Sequence, residues 1–256
     1  MKNDKLKVSI ITVTYNCKSV ILDCLNSVAS QSYKNIEHII IDGASTDGTL
    51  TLLKSKSEQF SQLISEPDSG IYEAMNKGIE LAKGDIIGFL NSDDFYENNN
   101  VISKVIRVFN DNPSLDACYA DLKYVDRINI SKVKNYFKSS KFVQGSFFKG
   151  WFPPHPTFFV HRSVYNRYGK FNLNYNIAAD IDLMLRFLEI NKIHVQYIPE
   201  FFIKMRTGGA SYKNYLESLN EIKNIKLKYH GSKIRVYFDN YYSIFKHYIK
   251  IILRKY

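Results

Sequence analysis

The sequence predicts an α/β domain with a mostly parallel sheet covered by helices on both faces. Three observations lead there. Over residues 1–125, short β-branched runs alternate with segments whose apolar residues recur at helical spacing. Turn and cap residues such as Asp42-Gly43, Ser45-Thr46-Asp47-Gly48 and Gly84 separate these segments. The apolar run Ile86-Ile87-Gly88-Phe89-Leu90 reads as a central strand and ends on two adjacent carboxylates, Asp93 and Asp94.

Taken in order, Val8 to Thr14 is the first strand. Ser19 to Ser30, with Val20, Leu22, Cys24, Leu25 and Val28, is the first helix. Ile36 to Ile41 is a second strand, and a helix opens near Thr46 or Asp47. Gln62 to Ser65 is a short third strand. Ile71 to Lys83 is a helix stopped by Gly84, and Ile86 to Leu90 delivers the acidic turn. From Asn129 to Trp151 the chain turns basic and aromatic with weak periodicity, which suggests a loop-rich insertion over the active-site face. A strand at Thr157 to Val160 and a helix at Asp180 to Ile190 follow. The expected division is a catalytic domain over 1–212, in halves 1–125 and 126–212, with a helical tail over 213–256.

The tetrad Asn91-Ser92-Asp93-Asp94 stands where open α/β sheets bind ligands, outside the carboxyl end of a strand. A divalent cation holding a diphosphate relieves the repulsion between adjacent carboxylates. Asp93 or Asp94 could equally cap the segment that follows. No GxGxxG or Walker sequence occurs, which speaks against dinucleotide dehydrogenases and P-loop NTPases.

The 256 residues are 45% hydrophobic, an ordinary globular composition, but carry a formal net charge of +10. Phosphates or anionic headgroups are the partners this suggests. No nucleic-acid signature accompanies it. Three cysteines, Cys17, Cys24 and Cys118, lack any CxxC pair, so reduced thiols in a cytosolic protein are expected, Cys17 and Cys24 on one face of the first helix. The N-terminus does not read as a signal peptide, and no run approaches a membrane span. In the tail, Ile234, Phe238, Tyr241, Phe245, Tyr248 and Ile252 form one helical stripe, and six basic residues face a single Asp239 over 233–256. Such a helix suits an anionic membrane surface; packing on the domain or a dimer seam are the alternatives.

Four segments align in order: Thr12-Val13-Thr14-Tyr15-Asn16, Ile41 to Thr49, Asn76-Lys77-Gly78-Ile79, and Asn91 to Asp94. Over residues 7–210 the chain resembles the family 2 glycosyltransferases, which have a GT-A fold and invert the anomeric centre. The run Ser65 to Gly78 is similar to bacterial members that build O-antigen and other surface polysaccharides.

The resemblance implies an enzyme that moves a hexose or N-acetylhexosamine from a UDP-sugar. The acceptor would be a polyprenyl-diphosphate-linked saccharide on the inner face of a bacterial plasma membrane. Thr12 and Tyr15 are expected in the uracil pocket, with Asn16 shaping the turn and Asp42 accepting a hydrogen bond from the base. Asp93 matches the metal-binding Asp, for Mn²⁺ or Mg²⁺, with Asn91 in place of the usual first acid and Ser92 beside it. Asn76 contacts the donor or caps local backbone. Lys77 supplies positive charge where relatives carry an Arg at the Met75 position, or is a solvated helix lysine. Asp180 matches the catalytic base, with Ala179 where relatives often carry Glu; a helix cap is the simpler role. Asp94, Trp151, His155 and Arg206 are assigned to acceptor or diphosphate, Arg206 flanking a Gly-rich lid through Ser211. Two other classes compete: a nucleotidyltransferase, which would show a Gly-rich loop after the first strand, and a non-catalytic assembly subunit that kept the fold.

Overall fold

The first four strands lie side by side because each is apolar on both faces. A computed structural model describes residues 6–209 and 214–229. Strands β1 (Val8–Thr14), β2 (Ile36–Asp42), β3 (Gln62–Ser65) and β4 (Ile86–Phe89) are mutually parallel in the order β3-β2-β1-β4. The connections are the helices α1 (Ile21–Ala29), α2 (Thr49–Lys54) and α3 (Ile71–Leu81). Strand alternation divides the core. Val8, Ile10 and Ile40 face one cluster with Ile21 and Leu25 of α1, whereas Ile11, Val13 and Ile39 face another with Met75 and Ile79 of α3. Helix α3 comes close to β1 because Gly78 has no side chain: a Cβ there would lie 2.3 Å from Ile11 Cγ2.

The second half completes a nine-stranded sheet in the order β3-β2-β1-β4-β8-β6-β9-β5, with β7 beside β6. Here β5 is Phe95–Tyr96, β6 Ala117–Val125, β7 Val133–Phe137, β8 Phe159–His161 and β9 Val195–Arg206. Strand β8 is antiparallel to both β4 and β6, and β6 runs parallel to β9. Helices α4 (Val101–Asp111), α5 (Arg162–Tyr168), α6 (Ala179–Leu185) and α7 (Tyr215–Tyr229) cover the faces.

Several expectations need correction. The basic stretch after Asn129 is not all loop: Val133–Phe137 pairs with Leu122–Val125 around a register shift. Its periodicity is weak because the strand lies at the edge, with Lys134, Asn135 and Tyr136 exposed. Thr157 ends a 3₁₀ turn, and the strand begins only at Phe159. The helix expected from Asp180 to Ile190 is α6 followed by a π turn over Arg186–Ile190. Cys17 precedes α1 rather than sharing a face with Cys24. The tail stripe over 233–256, and Ser211 of the expected lid, lie outside the described residues. Among those described, no helix is long and apolar enough to cross a membrane.

Candidate active site

Strand β1 is flanked by β2 on one side and β4 on the other, so strand order reverses there. The carboxyl ends of β1 and β4, at this switch point, are where α/β sheets bind ligands. On the β1 side, Asn16 takes a left-handed conformation (φ 51°), and its side-chain oxygen accepts the N–H of Thr46 at 2.9 Å. Asn16 thereby ties the turn after β1 to the loop after β2. Tyr15 projects from the turn, 63% exposed.

Asp42 closes β2 and is fully buried; its carboxylate accepts from the Ser45 hydroxyl at 2.5 Å, the Ser45 N–H at 3.1 Å and the Ser65 hydroxyl at 2.7 Å. It therefore braces the loop from within. The carboxylate beside Gly43 and Tyr15 is Asp68, to which sequence reasoning gave no role. A Cβ on Gly43 would lie 2.8 Å from Asp68 Oδ2 and 3.5 Å from the Tyr15 ring, so Gly43 lets these groups meet. Thr12 does not line this pocket. It shares a face with Val8 and Ile10, is fully buried, and its hydroxyl lies 2.9 Å from His38 Nε2.

On the β4 side the tetrad forms a tight turn: the Asp94 N–H donates to Asn91 O at 3.0 Å, and Asn91 Nδ2 donates to Asp94 Oδ2 at 3.1 Å. Ser92 is buried with its hydroxyl 3.1 Å from Cys17 Sγ. Asp94 is also buried, and its other oxygen accepts the Arg206 backbone N–H at 3.2 Å. Burial, and then Asp93 beside it, push the Asp94 carboxyl well above the usual range. Asp94 thus holds the turn and does not face a ligand. Asp93 keeps part of its side chain exposed, with its Oδ2 3.3 Å from the guanidinium of Arg127, a half-exposed residue just after β6.

Arg206 is not a lid residue either. It ends β9 with its side chain 3% exposed. It donates to Asp93 O at 2.6 Å and to Arg127 O at 3.3 Å, and pairs with Asp23 of α1. This one buried cation ties α1, the tetrad and the β6–β7 connection together.

The helix residues of the third motif face elsewhere. Both ends of the Asn76 amide are taken by the Phe171 backbone, at 3.0 and 2.9 Å. Lys77 pairs with Glu66 at 2.9 Å and Glu73 at 3.1 Å. Both side chains are already paired within the fold.

What these contacts do is dock the second half. Phe171 packs on Tyr72 of α3, on Phe89 of β4 and on His155, with ring centroids 5.3 to 5.5 Å apart. His155 is buried in this cluster; burial lowers its pKa to about 4, so the ring is neutral. Trp151 packs against Tyr119, Phe142 and Phe147, at the edge of the same core.

Asp180 stands in the first turn of α6, half-buried. The Tyr72 hydroxyl donates to Ile177 O at 2.6 Å and reaches Asp180 Oδ1 at 3.1 Å. Burial pushes the Asp180 carboxyl up to about 6. A carboxylate so placed is ionised at neutral pH yet basic enough to take a proton. Asp182 points away and is fully buried in a pair with Arg186 at 2.8 Å.

Among the described residues, no group of three or more His, Cys, Asp or Glu is placed to hold a metal ion. The donor set instead suits a hard cation shared with a ligand. Asp93 offers one partly exposed carboxylate, and Mg²⁺ or Mn²⁺ completes such a sphere with phosphate oxygens and water. Asp94 and Arg206 are already consumed by the turn.

Comparison with known proteins bears on the family and the fold. The family described as Glycosyl transferase family 2 matches residues 9–169. An uncharacterized glycosyltransferase of Mycobacterium tuberculosis is 32% identical over 183 residues, 70% of this chain and 68% of that protein. Among solved structures, S. aureus TarS 1–349 in complex with UDP-GlcNAc superposes with a TM-score of 0.64 at 18% identity, covering 90% of this chain and 69% of that one. The longer TarS chain is covered to 41%. The mannosyltransferase PcManGT from Pyrobaculum calidifontis, in complex with GDP-Man and Mn²⁺, gives 0.68 at 17% identity, covering 93% and 70%. At these identities the structures speak for the fold, which is GT-A-like.

Proposed function

The chain belongs to glycosyl transferase family 2, and we propose that within it the protein is an inverting enzyme that uses a UDP-sugar. The sugar is a hexose or N-acetylhexosamine, and the acceptor is a saccharide carried on a lipid diphosphate. The observation that carries this reading is Asp180, a half-buried carboxylate within 3.1 Å of the Tyr72 hydroxyl of α3 and pushed up to about 6.

In this reading the base of the donor lies between Tyr15 and Asp68, and its diphosphate lies over Asp93 and Arg127. An acceptor hydroxyl attacks the anomeric carbon from the side opposite the diphosphate. Asp180 takes the hydroxyl proton as the new C–O bond forms, and the bond to the diphosphate oxygen breaks with its electrons leaving on UDP. A cation held by Asp93, with the Asn91 amide oxygen beside it, would supply charge neutralisation on the departing diphosphate. Arg127 adds a fixed positive group at the same place, offsetting the acid that Asn91 lacks. TarS bound to UDP-GlcNAc supports a UDP-sugar donor, and PcManGT with Mn²⁺ supports the cation.

The acceptor class rests on sequence. The run Ser65 to Gly78 resembles enzymes of bacterial surface polysaccharides, and the basic aromatic stripe over 233–256 suits an anionic membrane on its cytoplasmic side. The test is UDP release from a panel of UDP-sugars with GDP-mannose as comparator, given a synthetic lipid-diphosphate saccharide, with Mn²⁺ or EDTA. Cation-dependent release from one UDP-sugar is expected. Turnover of GDP-mannose alone, or of no donor, overturns the assignment.

A further inference from the structure

The last described helix reaches back to the segment that carries Asp180. Glu221 lies on the inner side of α7, only 9% exposed. Its carboxylate accepts three consecutive backbone N–H groups, those of Asn176 at 2.8 Å, Ile177 at 2.9 Å and Ala178 at 2.8 Å. These residues run directly into α6, whose second residue is Asp180. Ile177 is gripped from both sides: Glu221 takes its N–H, and Tyr72 donates to its C=O. Further along α7, Ile225 is fully buried, and the Tyr229 hydroxyl lies 3.3 Å from Asp182 Oδ1.

We propose that Glu221 is a positioning residue for the transfer reaction: from a helix outside the catalytic sheet, it fixes the backbone at 176–178 and so the aim of the Asp180 carboxylate. The proposal rests on Asp180 being the base. The residue type fits the task. An ionised carboxylate is acceptor-only and has enough lone pairs for three donors, whereas a Gln side chain offers one acceptor oxygen and turns two donors toward the same amides. Bonds to an ionised acceptor are also the stronger kind. Without Glu221, three adjacent N–H groups lose their partner at once, and the segment has to seek water.

Charge gives the clamp a signature that packing alone lacks. Two titratable groups face Asp180 from neighbouring elements: Tyr72 from α3 and Glu221 from α7. On α6 itself, Asp182 is neutralised by Arg186. The negative charge of Glu221 adds to burial in holding the Asp180 carboxyl high.

The experiment compares Glu221→Gln and Glu221→Ala with Glu217→Gln, which removes the same charge from an exposed position of the same helix. Hydrogen exchange is read on the peptide spanning 172–182, and kcat, donor KM and the pH profile are read in the donor-panel assay. In the Glu221 variants the amides of 176–178 should exchange at least about tenfold faster. Their kcat should fall by about tenfold or more with donor KM held within about twofold, a loss confined to the reaction step. In Glu221→Gln the acid limb should also move to lower pH by about half a unit. Glu217→Gln should match the wild type in every readout. Wild-type exchange at 176–178, or a folded Glu221→Gln protein with wild-type kcat and pH profile, overturns the proposal. If Glu221→Ala does not fold, Glu221→Gln carries the test. A wild-type enzyme inactive on every donor overturns the reading of Asp180 and this proposal with it, and the exchange data then still report whether the clamp exists.

Discussion

Replacing Arg206 by Met removes a buried cation while keeping most of its volume and its apolar contact with Phe95. The guanidinium lies 5.1 Å from the Phe95 ring, donates to Asp93 O at 2.6 Å and to Arg127 O at 3.3 Å, and pairs with Asp23. The short bond to Asp93 O is charge-assisted and contributes about 2 kcal/mol; the longer one contributes about 0.5 kcal/mol. The Asp23 side chain is 44% exposed, so that pair is screened and adds about 0.5 kcal/mol. The cation–π contact adds about 0.5 kcal/mol. The burial cost of the cation is recovered on substitution, but two carbonyls lose their donor, and the net loss is about 3 kcal/mol. For a chain of this size that corresponds to a Tm lowered by about 6 to 12 °C. The same carbonyls belong to Asp93 and Arg127, so donor KM should rise together with the loss of Tm. Differential scanning fluorimetry and donor titration read both. A Tm within about 2 °C of wild type with unchanged donor KM would refute the view of Arg206 as the tie between α1, the tetrad and the β6–β7 connection.

Other outcomes follow from the same geometry. Asp180 has a folded pKa raised to about 6 from 3.8, so its stabilising contribution is complete below pH 3.8 and is lost as pH rises through 6. Asp180→Asn should therefore raise stability by about 2 kcal/mol at pH 7.5, with the gain vanishing below about pH 4; a flat difference in Tm across that range contradicts the burial of the carboxylate. The wild-type rate should fall on the acid side with a midpoint near pH 6, and a limb near pH 4 would show Asp180 to be exposed. Gly78→Ala places a Cβ 2.3 Å from Ile11 Cγ2 and should cost about 1 to 3 kcal/mol in denaturant unfolding, through α3 being pushed off β1. Arg127→Ala should raise donor KM several-fold with Tm nearly unchanged, because its pair with Asp93 is half-exposed; an unchanged KM removes Arg127 from the diphosphate site.

The first half of the fold was legible because its information is local. Each parallel strand is a short, mostly apolar run, and Asp42-Gly43, Gly48 and Gly84 mark the junctions. The acidic turn after β4 was legible for the same reason. The second half was harder: β7 is an edge strand whose outward side is Lys, Asn and Tyr, so no alternation survives to be read. Side-chain roles failed where they depended on which way a residue points. Thr12 lies in a motif, yet the strand period of two groups it with Val8 and Ile10, and a sheet covered on both faces buries it. Asn76 and Lys77 sit on α3 faces turned toward Phe171 and Glu66. Arg127 and Glu221 carry no motif, and Asp68 lies in the run Ser65 to Gly78 with no role attached to it there; each is marked only by a contact with a distant segment, which has no signature in one sequence. Asp180 was singled out by resemblance alone, and the burial that raises its pKa appears only in the folded chain.

In the proposed reaction Asp180 takes the acceptor proton and Asp93 faces the donor. The most direct measurement sets donor binding and turnover side by side for Asp180→Asn, Asp93→Asn and the wild type. Calorimetry with the UDP-sugar identified in the panel should give Asp180→Asn a wild-type Kd, with turnover reduced by about a thousandfold or more, while Asp93→Asn loses affinity and turnover together. Turnover by Asp180→Asn within about tenfold of wild type would contradict the account, and the base would have to be sought elsewhere.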